Sequence, residues 1–128
     1  MTLLDTNIFI EIYRDNANIA SIVDNMQELS VCDVVRAELF YGARNKSDLQ
    51  AISADLEGLT ILPLLPQISE MAVNLVKTYC LSHKLEFADA LIAATAIIHN
   101  AELFTLNKKD FAFIPNLKLY KPPAGADL

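Results

Sequence analysis

The segment from Phe87 to His99 constrains this chain most, because it is apolar nearly all round yet carries one acid, Asp89, near its start. A helix without a polar stripe does not lie on a surface, so this one is expected at the centre of the fold. Within Phe87-Ala88-Asp89-Ala90-Leu91-Ile92-Ala93-Ala94-Thr95-Ala96 almost every side chain is bound for burial. An ionised carboxylate placed in such surroundings is strongly penalised unless it is compensated. A helix N-terminus returns only about 0.3–1 kcal/mol, and up to about 2 in buried geometries. The segment contains no Lys or Arg. Either Asp89 is a simple helix cap, or the remaining compensation comes from a bound cation.

Short apolar runs alternate with longer helical patterns through the rest of the chain, which argues for α/β layers. Thr2 to Leu4 reads as a strand, and Thr6 is placed to cap a helix whose Ile8, Phe9, Ile12 and Tyr13 share one face. A second helix is expected over residues 16–29, with Ile19, Ile22, Val23 and Met26 together. Ser30 to Cys32 forms a second strand. Asp33 is the expected N-cap of a helix running through Glu38 to about Tyr41, with Gly42 at its stop. Residues 46–57 suit a charged, exposed helix ended by Gly58, and Thr60 to Leu62 a third strand closed by Pro63 and Pro66. From Gln67 to His83 the residues Ile68, Met71, Ala72, Leu75, Val76 and Tyr79 recur at helical spacing. Glu102 to Thr105 is a fourth strand, Leu117 to Tyr120 a weaker fifth, and Pro122, Pro123 and Gly125 mark a frayed tail.

A length of 128 residues suits one domain, and an apolar fraction of 53% supplies a full core. The formal charge is −6 and the pI near 4.7. That balance counts against a high-affinity groove binder of nucleic acid. It does not exclude a nuclease, whose metal-binding carboxylates are themselves acidic, and it suits a basic partner. Cys32 and Cys80 form no C-x-x-C pair, so both read as small buried apolar residues rather than as a disulfide or zinc site. With no basic region leading into an apolar run at the start, and no membrane-length apolar stretch, a soluble cytoplasmic protein is expected.

The acids carry the chemistry. Asp5 closes the first strand and precedes a helix, which puts its carboxylate at the carboxyl edge of the sheet, where open α/β sheets place their sites; it could also be only a cap. Glu38 lies in its helix among Val35, Leu39 and Phe40, and faces either solvent or an internal partner. Asn107 and Asp110 sit in the turn Thr105-Leu106-Asn107-Lys108-Lys109-Asp110-Phe111, an ordinary polar turn unless it reaches the same edge. Singly each acid has a plain structural explanation. Together they arise at strand ends and helix starts of one α/β unit, and hard divalent cations such as Mg²⁺ want oxygen ligands. Such a set suits phosphodiester cleavage, where an ion activates water and neutralises the leaving oxyanion. His83 and His99 both end helices, where histidines commonly meet carbonyls. G-x-S-x-G, Walker A and G-x-G-x-x-G sequences are absent.

Four stretches resemble the PIN-domain family, in particular the VapC-type toxins of prokaryotic toxin–antitoxin pairs. They are Leu3-Leu4-Asp5-Thr6-Asn7, Val35-Arg36-Ala37-Glu38-Leu39-Phe40-Tyr41-Gly42-Ala43, Asp89-Ala90-Leu91-Ile92-Ala93-Ala94-Thr95-Ala96 and Thr105-Leu106-Asn107-Lys108-Lys109-Asp110-Phe111. The resemblance spans nearly the whole chain and implies a Rossmann-like, three-layer α/β/α fold with a central parallel sheet of four to five strands. It implies one PIN domain over residues 1–121 and a C-terminal tail over 122–128. It further implies an Mg²⁺- or Mn²⁺-dependent endoribonuclease in which Asp5, Glu38, Asp89 and Asp110 bind metal and orient the attacking water. Thr6 matches a hydroxyl that supports the first Asp. The family's fourth acid falls at the position of Asn107 in some members and of Asp110 in others; Asp110 is taken as the acid here, with Asn107 as a supporting polar group. A homodimer and an inhibitory VapB-like antitoxin, whose basic side chain would enter the acidic cluster, complete the expectation. A receiver-type signalling domain is the rival from another class, but it wants adjacent acids after its first strand, where this chain has Thr6 and Asn7. An inactive PIN-like binding module, its acids kept only for folding, is the other.

Overall fold

The computed structural model describes residues 1–126; residues 127 and 128 of the expected tail lie outside the described residues. Four strands, β1 (Thr2–Leu4), β2 (Leu29–Cys32), β3 (Thr60–Leu62) and β4 (Glu102–Phe104), form one parallel sheet in the order β3-β2-β1-β4. Around it lie α1 (Thr6–Tyr13), α2 (Ala17–Asp24), α3 (Asp33–Tyr41), α4 (Lys46–Leu56), α5 (Pro66–His83) and α6 (Phe87–Ile98). Thr2, Leu3 and Leu4 are all buried although alternate side chains point to opposite faces, so helices cover the sheet on both sides. The result is the expected three-layer α/β/α arrangement.

The chain moves outward from β1 to β2 to β3, then returns to place β4 against the other side of β1. That reversal makes the carboxyl ends of β1 and β4 a topological switch point, where a crevice opens in a parallel sheet. The register, Leu4 opposite Phe104, brings Asp5 and Thr105 side by side just beyond it. The amide of Asp5 still bonds the carbonyl of Phe104, at 3.0 Å.

As its composition requires, α6 is the central helix, with Ala90 and the run Ile92–Ala96 buried. The alanines permit close approach, and α6 packs along α5 as an antiparallel hairpin through Lys84–Glu86. Lys84 takes the left-handed conformation, φ 54°, that ends α5. The face of α5 formed by Ile68, Met71, Ala72, Leu75, Val76 and Tyr79 packs on the core, as its periodicity predicts.

Several local expectations are corrected. Asp5, not Thr6, is the N-cap of α1, and Cys32 rather than Asp33 precedes α3, leaving Asp33 in the first turn to pair with Arg36 at 2.7 Å. The second helix stops at Asp24, short of residue 29. Pro66 opens α5 as its first residue rather than closing β3, consistent with a proline's missing N–H costing nothing in the first turn. The fifth strand reduces to a single bridge between Leu103 and Leu119. Cys80 is exposed on α5, while Cys32 is buried, as expected, with burial foremost in pushing its thiol up to about 11.

Candidate active site

Asp5 is the most buried acid of the edge, with 6% exposure. Its Oδ1 accepts the amide of Thr6 at 2.8 Å, and its Oδ2 accepts the hydroxyl of Thr105 at 2.7 Å and Nδ2 of Asn7 at 3.3 Å. Each carboxylate oxygen has two lone pairs, so Oδ1 keeps one free. Burial raises the Asp5 pKa most; the bonds from Thr105 and Thr6 pull it down, and the charges of Glu38 and Asp110 push it up again.

Thr105, 2% exposed, is the hub of this arrangement. It donates to Asp5 and accepts from Nδ2 of Asn7 at 3.2 Å and from the amide of Asn107 at 3.1 Å, which uses its full hydroxyl capacity. The Asn7 side chain ties the loop further, its Oδ1 accepting the amide of Leu106 at 3.2 Å. Sequence reasoning assigned no role to Asn7 or Thr105. The signal was the strand register, since a residue directly after β4 must lie beside a residue directly after β1.

Thr6 does not support Asp5 with its hydroxyl, which instead donates to Oε1 of Glu38 at 2.8 Å; only its backbone amide reaches Asp5. Thr6 is therefore the link between α1 and α3 that holds the otherwise exposed Glu38 at the edge. Asp89 enters from the first turn of α6, half-buried. Burial raises its pKa most, with the charges of Asp5, Asp110, Glu38 and Glu86 added, to about 6. Among the described residues no side chain donates a hydrogen bond to it. Asp110 closes a short 3₁₀ turn, Lys108–Asp110, and is exposed, like Asn107.

The fold thus brings Asp5, Glu38, Asp89 and Asp110 into one field, in which Asp5 feels Glu38 and Asp110, and Asp89 feels the other three. Among the described residues, no three His, Cys, Asp or Glu side chains close into a cage around one ion. Mg²⁺ needs no such cage, because it keeps several waters and takes one or two carboxylates directly. A donor set made only of oxygens, with a free lone pair on Asp5 and an unbonded Asp89, fits a hard divalent cation. His99 is remote from this chemistry, its Nε2 lying 3.1 Å from the carbonyl of Pro63. Among the described residues His83 meets no helix carbonyl; its Nδ1 pairs with Oγ of Ser82 at 2.8 Å.

Beside Thr6 and Glu38 a cleft of about 430 Å³ runs between α1, α3 and α4, with Ile10, Tyr13, Leu39 and Ile52 in its walls. No described helix is long and apolar enough to cross a membrane.

Comparison with known proteins places this geometry. The PIN domain family model matches residues 2–116. Ribonuclease VapC19 of Mycobacterium tuberculosis is 32% identical over 123 residues, which cover 92% of this chain and 98% of that protein. Among solved structures, a toxin–antitoxin complex from Klebsiella pneumoniae contains a chain with a TM-score of 0.78 and 30% identity, covering 91% of this chain and 95% of that one. VapBC2 from Rickettsia felis, bound to a DNA fragment from its promoter, gives 0.74 and 28%, covering 93% and 96%. With the match running from β1 past the turn that carries Asp110, the chain belongs to the PIN domain family, in its VapC branch.

Proposed function

We propose that this protein is a divalent-metal-dependent endoribonuclease, the toxin of a VapBC-like pair, acting through a single domain over residues 1–121 with residues 122–128 as a tail. The observation that carries this reading is Asp89, a carboxylate that among the described residues has no hydrogen bond and lies in the field of four other acids. Uncompensated, that placement weakens the fold, and it is most simply explained by an ion that the site exists to hold. The relatives named above, a ribonuclease and chains of toxin–antitoxin complexes, support the same conclusion.

Asp5, Glu38, Asp89 and Asp110 would hold Mg²⁺ or Mn²⁺. When bound, the cation lowers the pKa of water and neutralises charge on the phosphate and the departing oxygen. The protein's own part is placement. Thr105, Asn7 and the Thr6 amide fix the Asp5 carboxylate, and the Thr6 hydroxyl fixes Glu38. Asp89, which no side chain among the described residues bonds, is free to orient the attacking water from the first turn of α6. Asn107 supports the loop that carries Asp110.

The cleft between α1, α3 and α4 fits the apolar face of a helix from a VapB-like antitoxin, and its opening beside Glu38 lets a basic side chain of that partner reach the acids. Self-association into a homodimer would draw on exposed apolar groups such as Val73 and Leu81 of α5.

The deciding experiment is cleavage of single-stranded RNA by purified protein with Mg²⁺, with Mn²⁺ and with EDTA, comparing wild type, Asp5→Asn and Asp89→Asn. Metal-dependent cleavage by wild type alone is expected. Equal cleavage by all three proteins would remove the acids from the reaction.

A further inference from the structure

Outside the acid cluster, the same edge carries a second grouping. The imidazole of His83 lies flat on the ring of Phe113, centroids 3.9 Å apart and planes 17° from parallel. Tyr79 backs both rings, 5.0 Å from Phe113 and 5.8 Å from His83. Phe113 and Tyr79 are partly buried, yet His83 is exposed. Its ring is therefore packed against Phe113 while the residue as a whole stays exposed to solvent. A stack serving only the core would not end in an exposed imidazole.

This stack is close to the acids by chain geometry. Phe113 is three residues beyond Asp110, so their Cα atoms are at most about 10 Å apart. His83 ends α5 just before the turn that leads into α6 and Asp89. The turn between β4 and Phe113 itself lines a pocket of about 410 Å³, formed by Leu106, Asn107, Lys108, Lys109 and Asp110. In a chain of net charge −6, two adjacent lysines, Lys108 and Lys109, sit on the same turn as Asp110. Among the described residues Arg14, Arg36 and Arg44 are tied to Glu11, Asp33 and Asp48, whereas the lysines, Lys108 and Lys109 included, form no ion pair.

An exposed aromatic ring beside unpaired ammonium groups is the chemistry that holds single-stranded nucleic acid, bases on rings and phosphates on cations. We infer that the His83–Phe113 stack and Lys108–Lys109 form a subsite for a nucleotide flanking the cleaved bond of the RNA, the base resting on His83 and the neighbouring phosphates on the lysines. The inference rests on the ribonuclease reading and deepens it. His83 and the lysines are positioning residues: they hold the strand so that a phosphodiester reaches the acids.

The test uses a fluorescein-labelled single-stranded RNA of about 12 nucleotides, within the span that one such platform engages. Its binding is followed by anisotropy in an Asp89→Asn background with Mg²⁺ present, and its cleavage is followed separately in the wild-type background. His83→Ala should weaken binding about tenfold, and His83→Phe should restore it by restoring the ring. Lys108→Ala combined with Lys109→Ala should flatten the slope of log affinity against log salt by about 1.4, two single-strand phosphate contacts' worth. In cleavage, His83→Ala should raise KM and leave kcat unchanged. Unaltered affinity and salt slope in these variants, or a fall in kcat without a change in KM, would overturn the subsite. If wild type does not cut while the binding differences stand, the ribonuclease reading fails alone. If it cuts and the variants bind as the parent does, only the subsite fails.

Discussion

The Thr105 hydroxyl gives one hydrogen bond and accepts two inside a site it barely exposes, so its loss cannot be made good by water. Thr105→Val keeps the shape and removes all three bonds, leaving the Asn107 amide and one oxygen of Asp5 short of a partner. Unfolding in urea should show a loss of about 1–3 kcal/mol. The affinity for Mg²⁺, read by titration calorimetry, should fall as well, because Asp5 is then no longer held in one rotamer. A variant of wild-type stability and affinity would show that the hub is ornamental. Asp89 makes the opposite prediction. Its pKa is about 6 when folded and 3.8 when free, so between those values the folded chain binds more protons than the unfolded one. Stability therefore rises as pH falls through this window, and that gain is lost as pH rises through the folded value of about 6. Asp5 is shifted the same way. Asp48, lowered chiefly by hydrogen bonds from Arg44, acts only below the ordinary carboxylate range and leaves the window clear. Metal-free protein should melt at a higher temperature near pH 5 than near pH 7.5, and Asp89→Asn should be the more stable protein at the higher pH and show a flatter profile. A melting temperature that falls steadily on acidification, alike in both proteins, would contradict the burial and repulsion assigned to Asp89.

The elements differ in how plainly the sequence announces them, and the difference is physical. β1 and β3 are found where short apolar runs end at Asp5 and Pro63, and α5 where six apolar residues repeat at helical spacing, because burial on one face leaves a periodic trace. The fifth strand fails because its residues meet the sheet through one bridge at Leu119, and β-propensity carries no information about pairing. The cap of α1 is misplaced by one residue because Asp5 and Thr6 are both good caps; the choice is made by the bonds of Asp5 to Thr105 and Asn7, far apart in sequence or hidden in register. Cys80 misleads because type alone says buried while its place on α5 says exposed. The four acids were legible as a set through their positions at element boundaries, but Thr105 and Asn7 needed the strand order. What fixes Asp89 in space is the burial of α6, and Ile92, 1% exposed, is one of its larger anchors. Ile92→Ala should cost about 2–5 kcal/mol in urea unfolding. It should also lower metal affinity more than an equally destabilising change in α4, such as Leu56→Ala, since α6 carries an acid of the cluster and α4 carries none. Equal effects on affinity would mean that the helix does not set the position of Asp89.

At the scale of the whole molecule, the end of β1, α3, α6 and the Lys108–Asp110 turn each bring a carboxylate to one edge, so the site exists only when the chain is folded. A cation that binds there binds the native state alone, and its free energy of binding adds to that of folding. At a concentration 100 times its dissociation constant, Mg²⁺ or Mn²⁺ should raise stability by about 2.7 kcal/mol. It should also remove the acid-side gain in melting temperature, because a bound cation replaces the protons that Asp89 would otherwise take up. The two effects are one linkage seen from two sides. Metal must therefore stabilise most near neutral pH and least near pH 5, where protons compete for the same oxygens. Differential scanning fluorimetry across metal concentration and pH reads this surface directly, with Asp5→Asn and Asp89→Asn as references. Wild type should show a metal-induced rise that grows with pH, and the variants a reduced rise with less pH dependence. A rise of equal size in all three proteins would place the cation elsewhere on this acidic surface, and the four acids would then be neighbours without a common ion.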